Sequence, residues 1–265
     1  MGKSIGVVSL KGGVGKTSIV CALGYAFSNL GKKVLLIDGN LSAPNLGMHL
    51  DLFDPEKTLH SILQSKMNPI EAVYNLDDFD VLPAGIFDTA KVEPLLLKQK
   101  INHLKRSYDI ILIDSSPSLG QETLAVMLAS DELIVVTTPD LPTLGTTMKA
   151  IKLAKQRGTQ ISGLVLNKVY NKKFEISLKD IEETLELPVL AVIPHDVAVL
   201  KALSEFEPST KQNPDSKASD EYMRLASALI GERYKENSFR RFFRWASPEK
   251  QEVNRILFYE NLFKE

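Results

Sequence analysis

A glycine-rich segment near the N-terminus constrains the fold more than any other feature of this chain. The apolar run Ile5–Leu10 leads into Lys11–Thr17, which reads K-G-G-V-G-K-T, and a helical stretch follows at once. This order predicts a buried strand, a glycine loop and a helix. Glycines let the backbone curl until its N–H groups face an anion, and the helix turns its positive end toward the same point. The segment therefore predicts a phosphate-binding loop.

The rest of the chain alternates short apolar runs with helical stretches. The predicted strands are Ile5–Leu10, Lys33–Asp38, Phe79–Pro83, Ile110–Asp114, Leu133–Thr138, Ile161–Asn167 and Val189–Pro194. The predicted helices are Thr17–Leu30, Glu93–Arg106, Gln121–Ala129, Leu144–Arg157, Leu178–Leu187 and Asp220–Ile230. Such alternation is typical of βαβ units, and wholly apolar strands are typical of parallel sheets. We expect an α/β domain over residues 1–231, in which helices flank a mostly parallel twisted sheet on both faces, followed by a helical tail over residues 232–265.

Composition narrows the functional class. A formal net charge of −1 over 265 residues argues against a general polyanion binder. Because Cys21 is the only cysteine, one chain can form neither an internal disulfide framework nor a multi-cysteine metal cluster. The apolar stretch Ser4–Leu10 is too short to span a bilayer and has no basic start of the kind found in signal peptides. We expect a cytoplasmic protein.

Two side chains in the loop carry the predicted chemistry. Lys16 supplies a positive charge for the β- and γ-phosphates, and Thr17 supplies a hydroxyl for Mg²⁺. The predicted phosphate contacts are Gly12, Gly13, Val14, Gly15, Lys16, Thr17 and Ser18. The general pattern G-x-x-x-x-G-K-[ST] fits only in part, because Leu10 stands where its first glycine would fall.

The segment K-G-G-V-G-K-T resembles the deviant Walker A motif of the MinD/ParA family of P-loop ATPases. The likeness covers most of Met1–Gly231 and is to archaeal-type MinD-like proteins in particular. It implies a P-loop NTPase fold, ATP and Mg²⁺ as cofactors, and an ATP-dependent homodimer in which Lys11 reaches the partner's nucleotide. A second cation on the phosphates stabilises the charge that develops in phosphoryl transfer. Alternatively, Lys11 contacts its own chain or is solvated.

Two apolar strands end in an aspartate. Leu35–Asp38 and Ile110–Asp114 both place a carboxylate at the edge of a parallel sheet where ligands bind. We predict that Asp38 takes part in the outer shell of Mg²⁺ and that Asp114, which matches a Walker B aspartate, lies near the ion through water. Ser115–Gly120 resembles the switch II loop of the family.

The segment Asp38–Leu46 resembles switch I of the family, with one departure. The usual pattern is D-x-D, whose second aspartate orients the attacking water, and this chain has Asn40 at that position. An amide can hydrogen-bond a water but cannot accept its proton as a carboxylate does. Slow hydrolysis or long-lived ATP binding is the prediction. The alternative is that Asn40 lies away from the water.

The adenine site is predicted from two later strands. Leu164–Val169 resembles the base-recognition strand of the family, and the Asn167 side chain has both the donor and the acceptor that an adenine edge needs. Pro194 and Asp196 lie in what resembles the second base-contacting loop. Alternatively, Asn167 is a helix-cap or turn residue.

The tail has a different character. On a helix, the phenylalanines and the alanine of Ser238–Ala246 share one face, Trp245 lies at its border and the arginines lie mostly elsewhere, which is typical of an interfacial membrane helix. Ser247-Pro248-Glu249 predicts the start of a second helix that runs toward Phe263. Residues 238–263 therefore predict either peripheral contact with the inner face of the cell membrane or packing against protein.

Together these features predict a MinD-like positioning ATPase, a dimer when ATP is bound, that recruits an unidentified protein partner in cell division or protein localisation. The alternative is a ParA-like ATPase of DNA partitioning. Its basis is the basic cluster Lys149, Lys152, Lys155 and Arg157, although a solvated helix face accounts for that cluster more simply.

Overall fold

The computed structural model describes residues 2–88 and 91–234. Its centre is an eight-stranded sheet with the order β3-β4-β2-β5-β1-β6-β7-β8. Only β3 runs antiparallel, paired with β4. The strands are β1 Lys3–Val8, β2 Val34–Gly39, β3 Tyr74–Leu76, β4 Phe79–Leu82, β5 Ile110–Ser115, β6 Glu132–Thr137, β7 Gln160–Val169 and β8 Val189–Pro194. The two helices predicted within 238–263 lie outside the described residues.

Helices cover both faces of this sheet. They are α1 Lys16–Asn29, α2 Leu59–Gln64, α3 Leu97–Ile101, α4 Gln121–Ala129, α5 Leu141–Gln156, α6 Leu178–Leu185, α7 Val197–Ser204, α8 Ser209–Gln212 and α9 Lys217–Leu229. One apolar cluster joins α1 and α9 to one face, with Phe27 and Tyr222 fully buried. A second cluster packs the five helices from α2 through α6 against the other face. The predicted fold class is confirmed. Within the described ranges, no helix has the length and apolarity needed to cross a bilayer.

One predicted helix is wrong and several short elements were missed. The stretch Glu93–Arg106 is a 3₁₀ turn, the five-residue α3 and a second 3₁₀ turn. Pro94 opens it, and the backbone bonds at both ends span three residues instead of four. β3, α2, α7 and α8 have three to eight residues each, too few for a periodic pattern to show.

The topology places the functional loops together. The seven parallel strands all have their carboxyl ends at one edge of the sheet. β1, which leads into the glycine loop, lies between β5 and β6. Because β2 and β5 are also neighbours, the segments predicted to bind phosphate and metal leave the sheet from adjacent positions.

Candidate nucleotide-binding site

The glycine loop has a shape that two of its glycines make possible. Gly13 and Gly15 have φ angles of 75° and 92°, in the left-handed region. A Cβ atom at Gly15 would also lie 2.4 Å from Nδ2 of Asn167. Position 15 therefore requires glycine for backbone conformation and for space, and α1 begins directly after it at Lys16.

Lys16 and Thr17 connect the loop to the end of β5. The Lys16 side chain is buried, and this burial lowers its pKa, while the charge of Asp114 acts in the opposite direction. A buried ammonium group needs an anion for compensation, and a phosphate would provide it. The Thr17 hydroxyl donates a 2.5 Å hydrogen bond to Oδ2 of Asp114. Ser18 follows on α1.

Asp38 and Asp114 lie side by side in register on β2 and β5, and both are fully buried. Asp38 accepts backbone hydrogen bonds from Asn40, Asn45 and Leu46 at 3.0–3.1 Å. Burial and the charge of Asp114 nevertheless raise the pKa of Asp38 to about 8. Burial likewise raises the pKa of Asp114 to about 6, although the Thr17 hydroxyl and Lys16 lower it. Two adjacent carboxylates with raised pKa values create a site that favours a cation.

The oxygen atoms at this point fit Mg²⁺. Oδ1 of Asp114 is buried and has no hydrogen-bond partner among the described residues. Within the same ranges, no group of three or more His, Cys, Asp or Glu side chains is placed to hold a metal. A metal here would therefore keep several water ligands, as Mg²⁺ does in sites formed by one or two carboxylates and substrate phosphates. Thr17, Asp114 and Asp38 would hold it.

Asn40 lies at the same edge of the sheet and is buried. Its side-chain nitrogen donates to the carbonyl oxygen of Ala43, which lies three residues later in the same loop. Its Oδ1 atom has no hydrogen-bond partner in the part of the chain that the structure describes. Asn40 therefore presents a buried acceptor that a water molecule could satisfy, and it holds its loop through the donor.

The loop after β5 is held by one threonine. The Thr123 hydroxyl, on α4, contacts the carbonyl oxygens of Ser116 and Ser118 at 3.0 and 2.7 Å. One turn of α4 therefore fixes the path of the segment that resembles switch II. A second contact ties the loop after β2 to the same helix, because the Ser42 hydroxyl donates to the Glu122 carboxylate on α4.

Lys11 contacts its own chain in this structure. Its ammonium group lies 3.2 Å from Oδ1 of Asp140 and donates to the Thr143 hydroxyl. Partial burial raises the pKa of Asp140, but hydrogen bonds from Thr138, Thr143 and Lys11 hold it at about 2. Sequence reasoning missed Asp140 and Thr143. Their spacing at the start of α5 predicts only that Asp140 is an N-cap, which it is, and carries no signal for the contact with Lys11.

The residues predicted to contact adenine are only partly brought together. Asn167 donates from Nδ2 to the carbonyl oxygen of Val14 at 2.7 Å, so it lies against the glycine loop. Lys168, which was not predicted to take part, donates to the carbonyl oxygen of Gly13 at 2.7 Å. Pro194 ends β8, and the Asp196 carboxylate accepts from the N–H of Ala198 as the N-cap of α7.

Comparisons with known proteins agree with this geometry. Residues 2–162, more than half of the chain, match the family described as the AAA domain. An uncharacterised ATP-binding protein of Methanocaldococcus jannaschii is 35% identical over 239 residues, which cover 88% of this chain and 90% of that protein. The cell division ATPase MinD of Pyrococcus furiosus is 36% identical and superposes with a TM-score of 0.82, covering 87% of this chain and 99% of that chain. The septum site-determining protein MinD of Pyrococcus horikoshii, solved with Mg-ADP, is 33% identical with a TM-score of 0.82, over 86% of this chain and 96% of that chain.

Proposed function

The chain belongs to the MinD/ParA family of P-loop ATPases, and we propose that it is a slow ATPase that dimerises when it binds Mg-ATP and acts as a positioning switch. The observation that carries this proposal is the site at the carboxyl edge of the sheet. There a glycine loop, a buried Lys16 and two buried carboxylates with raised pKa values meet. Triphosphate and magnesium supply the charges that this arrangement lacks.

Each group has a role in phosphoryl transfer. The loop amides and Lys16 hold the β- and γ-phosphates, and Thr17 and Asp114 hold the metal, which neutralises charge on the phosphates. Asn40 orients the attacking water through its Oδ1, which has no partner within residues 2–88 and 91–234. Because an amide cannot take the proton, hydrolysis relies on positioning and electrostatics alone and is slow. Asn167 faces the base, with Pro194 and Asp196 in the neighbouring loop.

A rim of exposed apolar side chains supports a protein–protein interface around this site. Large side chains that are more than half exposed follow the carboxyl ends of five strands: Phe87, Leu119, Leu141, Tyr170, Phe174, Val197 and Leu200. Such patches on a folded domain mark interaction surfaces. A second copy that docks here would cover the rim and bring its own Lys11 to the nucleotide.

The contact between Lys11 and Asp140 suggests how dimerisation depends on ATP. Both side chains are about 40% exposed, so their ion pair contributes only about 0–1 kcal/mol. A triphosphate in a second copy offers Lys11 more negative charge than one carboxylate does. Lys11 would therefore leave Asp140 when the partner holds ATP, and would return to it after phosphate release.

A mass measurement in solution tests this proposal. We expect the wild-type mass to double with Mg-ATP and to remain that of one chain with Mg-ADP or without nucleotide. Lys11→Ala should bind ATP and remain a monomer, whereas Lys98→Ala, which changes an exposed lysine of α3, should dimerise normally. Doubling of the Lys11→Ala variant with ATP would refute a role for Lys11 in the partner's site.

The cellular role follows from the nucleotide-gated dimer. In this proposal the ATP-bound dimer recruits a protein partner in cell division or protein localisation, and residues 238–263 add peripheral contact with a membrane. Pelleting with liposomes, with and without residues 235–265, tests the membrane contact. If the ATP-bound protein instead binds DNA with a steep salt dependence, the ParA-like alternative is correct.

A further inference from the structure

A cavity lies between the β3–β4 hairpin and the segment that joins α7 to α8. Its volume is about 270 Å³, and its apolar lining includes Leu76, Phe79 and Phe206. Pockets for small organic ligands usually measure 300–1,000 Å³. This cavity therefore suits one or two side chains better than a complete small molecule.

Two aromatic rings lie at the cavity or beside it without being fully covered. Phe206 and Phe53 pack edge to face with their ring centroids 5.3 Å apart, yet they are 41% and 45% exposed. Phe206 also has a φ angle of 56°, which a residue with a Cβ atom rarely adopts. The backbone thus holds this ring at the cavity in an unfavourable conformation, which is common at binding sites.

The charged residues that line the cavity are mainly acidic. Asp77, Asp78 and Glu207 bring three carboxylates, against the single ammonium group of Lys211. Lys211 lies 2.9 Å from Asp78 and 3.8 Å from Glu207, so it offsets only part of this negative charge. A cavity that combines apolar side chains with an acidic rim is complementary to a segment that contains both aromatic residues and arginines.

A series of contacts links the end of the described chain to the wall of this cavity. The hydroxyl of Tyr234, the last described residue, donates to Oδ1 of Asp220 in the first turn of α9 at 3.1 Å. The adjacent Ser219 donates to the carbonyl oxygen of Ser209 at 3.1 Å, and Ser209 follows Pro208, which lines the cavity. The five residues after Tyr234 reach Phe239 and can span roughly 17 Å when extended.

We propose that this cavity is the docking site for the segment Phe239–Trp245 of the same chain, whose sequence is F-R-R-F-F-R-W. An aromatic side chain fills the space beside Phe206, and the arginines face Asp77 and Glu207. Docking removes the aromatic face of the tail from solvent, so the tail is unavailable to a membrane until it is released. The inference does not depend on nucleotide binding.

Trp245 reports directly on this docking because it is the only tryptophan in the chain. In the full-length protein without vesicles, we expect blue-shifted Trp245 emission that acrylamide quenches weakly. Phe206→Ser should shift the Trp245 emission to the red and raise its acrylamide quenching constant about twofold or more, because it removes a central aromatic contact. Ile70→Ser is the matched control, because it removes an exposed apolar side chain that neither lines the cavity nor belongs to the rim of the nucleotide site. Wild-type quenching equal to that of the urea-unfolded protein would overturn the proposal, as would equal quenching of the two variants.

A charge exchange tests the same contact without changing an apolar residue. Asp77→Lys should lower the docking equilibrium about two- to fivefold, the range for exposed ion pairs, and Arg241→Asp in the same chain should restore it. Absence of any effect of Asp77→Lys would contradict the assigned rim. Loss of Trp245 protection on dilution would show docking between two copies, and protection only with anionic vesicles would show membrane binding; either result overturns docking within one chain.

Discussion

Replacing Asn40 with aspartate tests how this site handles the attacking water. The side-chain nitrogen of Asn40 donates to the Ala43 carbonyl, and an aspartate has no such donor. Because Ala43 is exposed, water can replace this donor, and the lost hydrogen bond costs about 0.5–1.5 kcal/mol. The new carboxylate would also join Asp38 and Asp114, whose pKa values burial has already raised to about 8 and about 6, so a third buried negative charge adds to the cost.

Without nucleotide, the Asn40→Asp variant should therefore be less stable than the wild type. A loss of about 1–3 kcal/mol lowers the melting temperature of a domain of this size by about 2–12 °C. Mg-ATP should remove part of this difference, because the cation compensates the added carboxylate. Differential scanning calorimetry with and without Mg-ATP measures both effects.

The rate of ATP hydrolysis should move in the opposite direction. General-base catalysis contributes about 10²–10⁴-fold, but positioning and electrostatics dominate phosphoryl transfer. We expect single-turnover hydrolysis of saturating Mg-ATP to accelerate about tenfold, which corresponds to about 1.4 kcal/mol in the barrier. Asn40→Ala is the control, since it loses the same donor and gains no carboxylate. If Asn40→Asp is no faster than the wild type, or if both variants change equally, the assigned role of Asn40 is wrong.

Three further predictions concern residues around the site. Gly15→Ala should abolish ATP binding in a calorimetric titration, even when Asn167→Ala removes the clash, because the φ angle of 92° remains unsuitable for alanine; binding by the double variant would refute this. Burial lowers the pKa of His60 below 6.5, so the folded state binds a proton at His60 less readily than the unfolded state. The free energy of unfolding, measured with urea, should therefore fall as the pH drops below about 6.5, and it should fall less in His60→Asn. Thr123→Val should cost about 1–3 kcal/mol in the same urea assay, since it leaves the buried carbonyl group of Ser116 without its donor; an unchanged midpoint would contradict this.

The sequence was informative where local pattern and topology act together. Apolar runs that end in Asp38 and Asp114 predict neighbouring carboxylates, because parallel strands share one carboxyl edge, and the structure places the two in register. The partner of Lys11 was not predictable in this way. Asp140 lies 129 positions away, and nothing in its local sequence distinguishes a lysine contact from an ordinary helix cap.

Local capping also limits what sequence reveals about the base site. Asp196 was expected near adenine, but its position before an unrecognised short helix gives its carboxylate a backbone donor within the same segment. The sequence of α7 lacks the regular spacing of apolar and polar residues that identifies an amphipathic helix, and only Ala202 of that helix is buried. Pattern therefore showed neither the helix nor the role of its cap.

The position of β1 between β5 and β6 has a consequence for amide hydrogen exchange. These strands are buried and hydrogen-bonded on both sides, so their amides should exchange only when the whole domain opens. The loops that leave their ends can rearrange without breaking those bonds. Removing the ligand should therefore speed exchange in the loops alone, while the strands beneath keep the slowest amides of the protein.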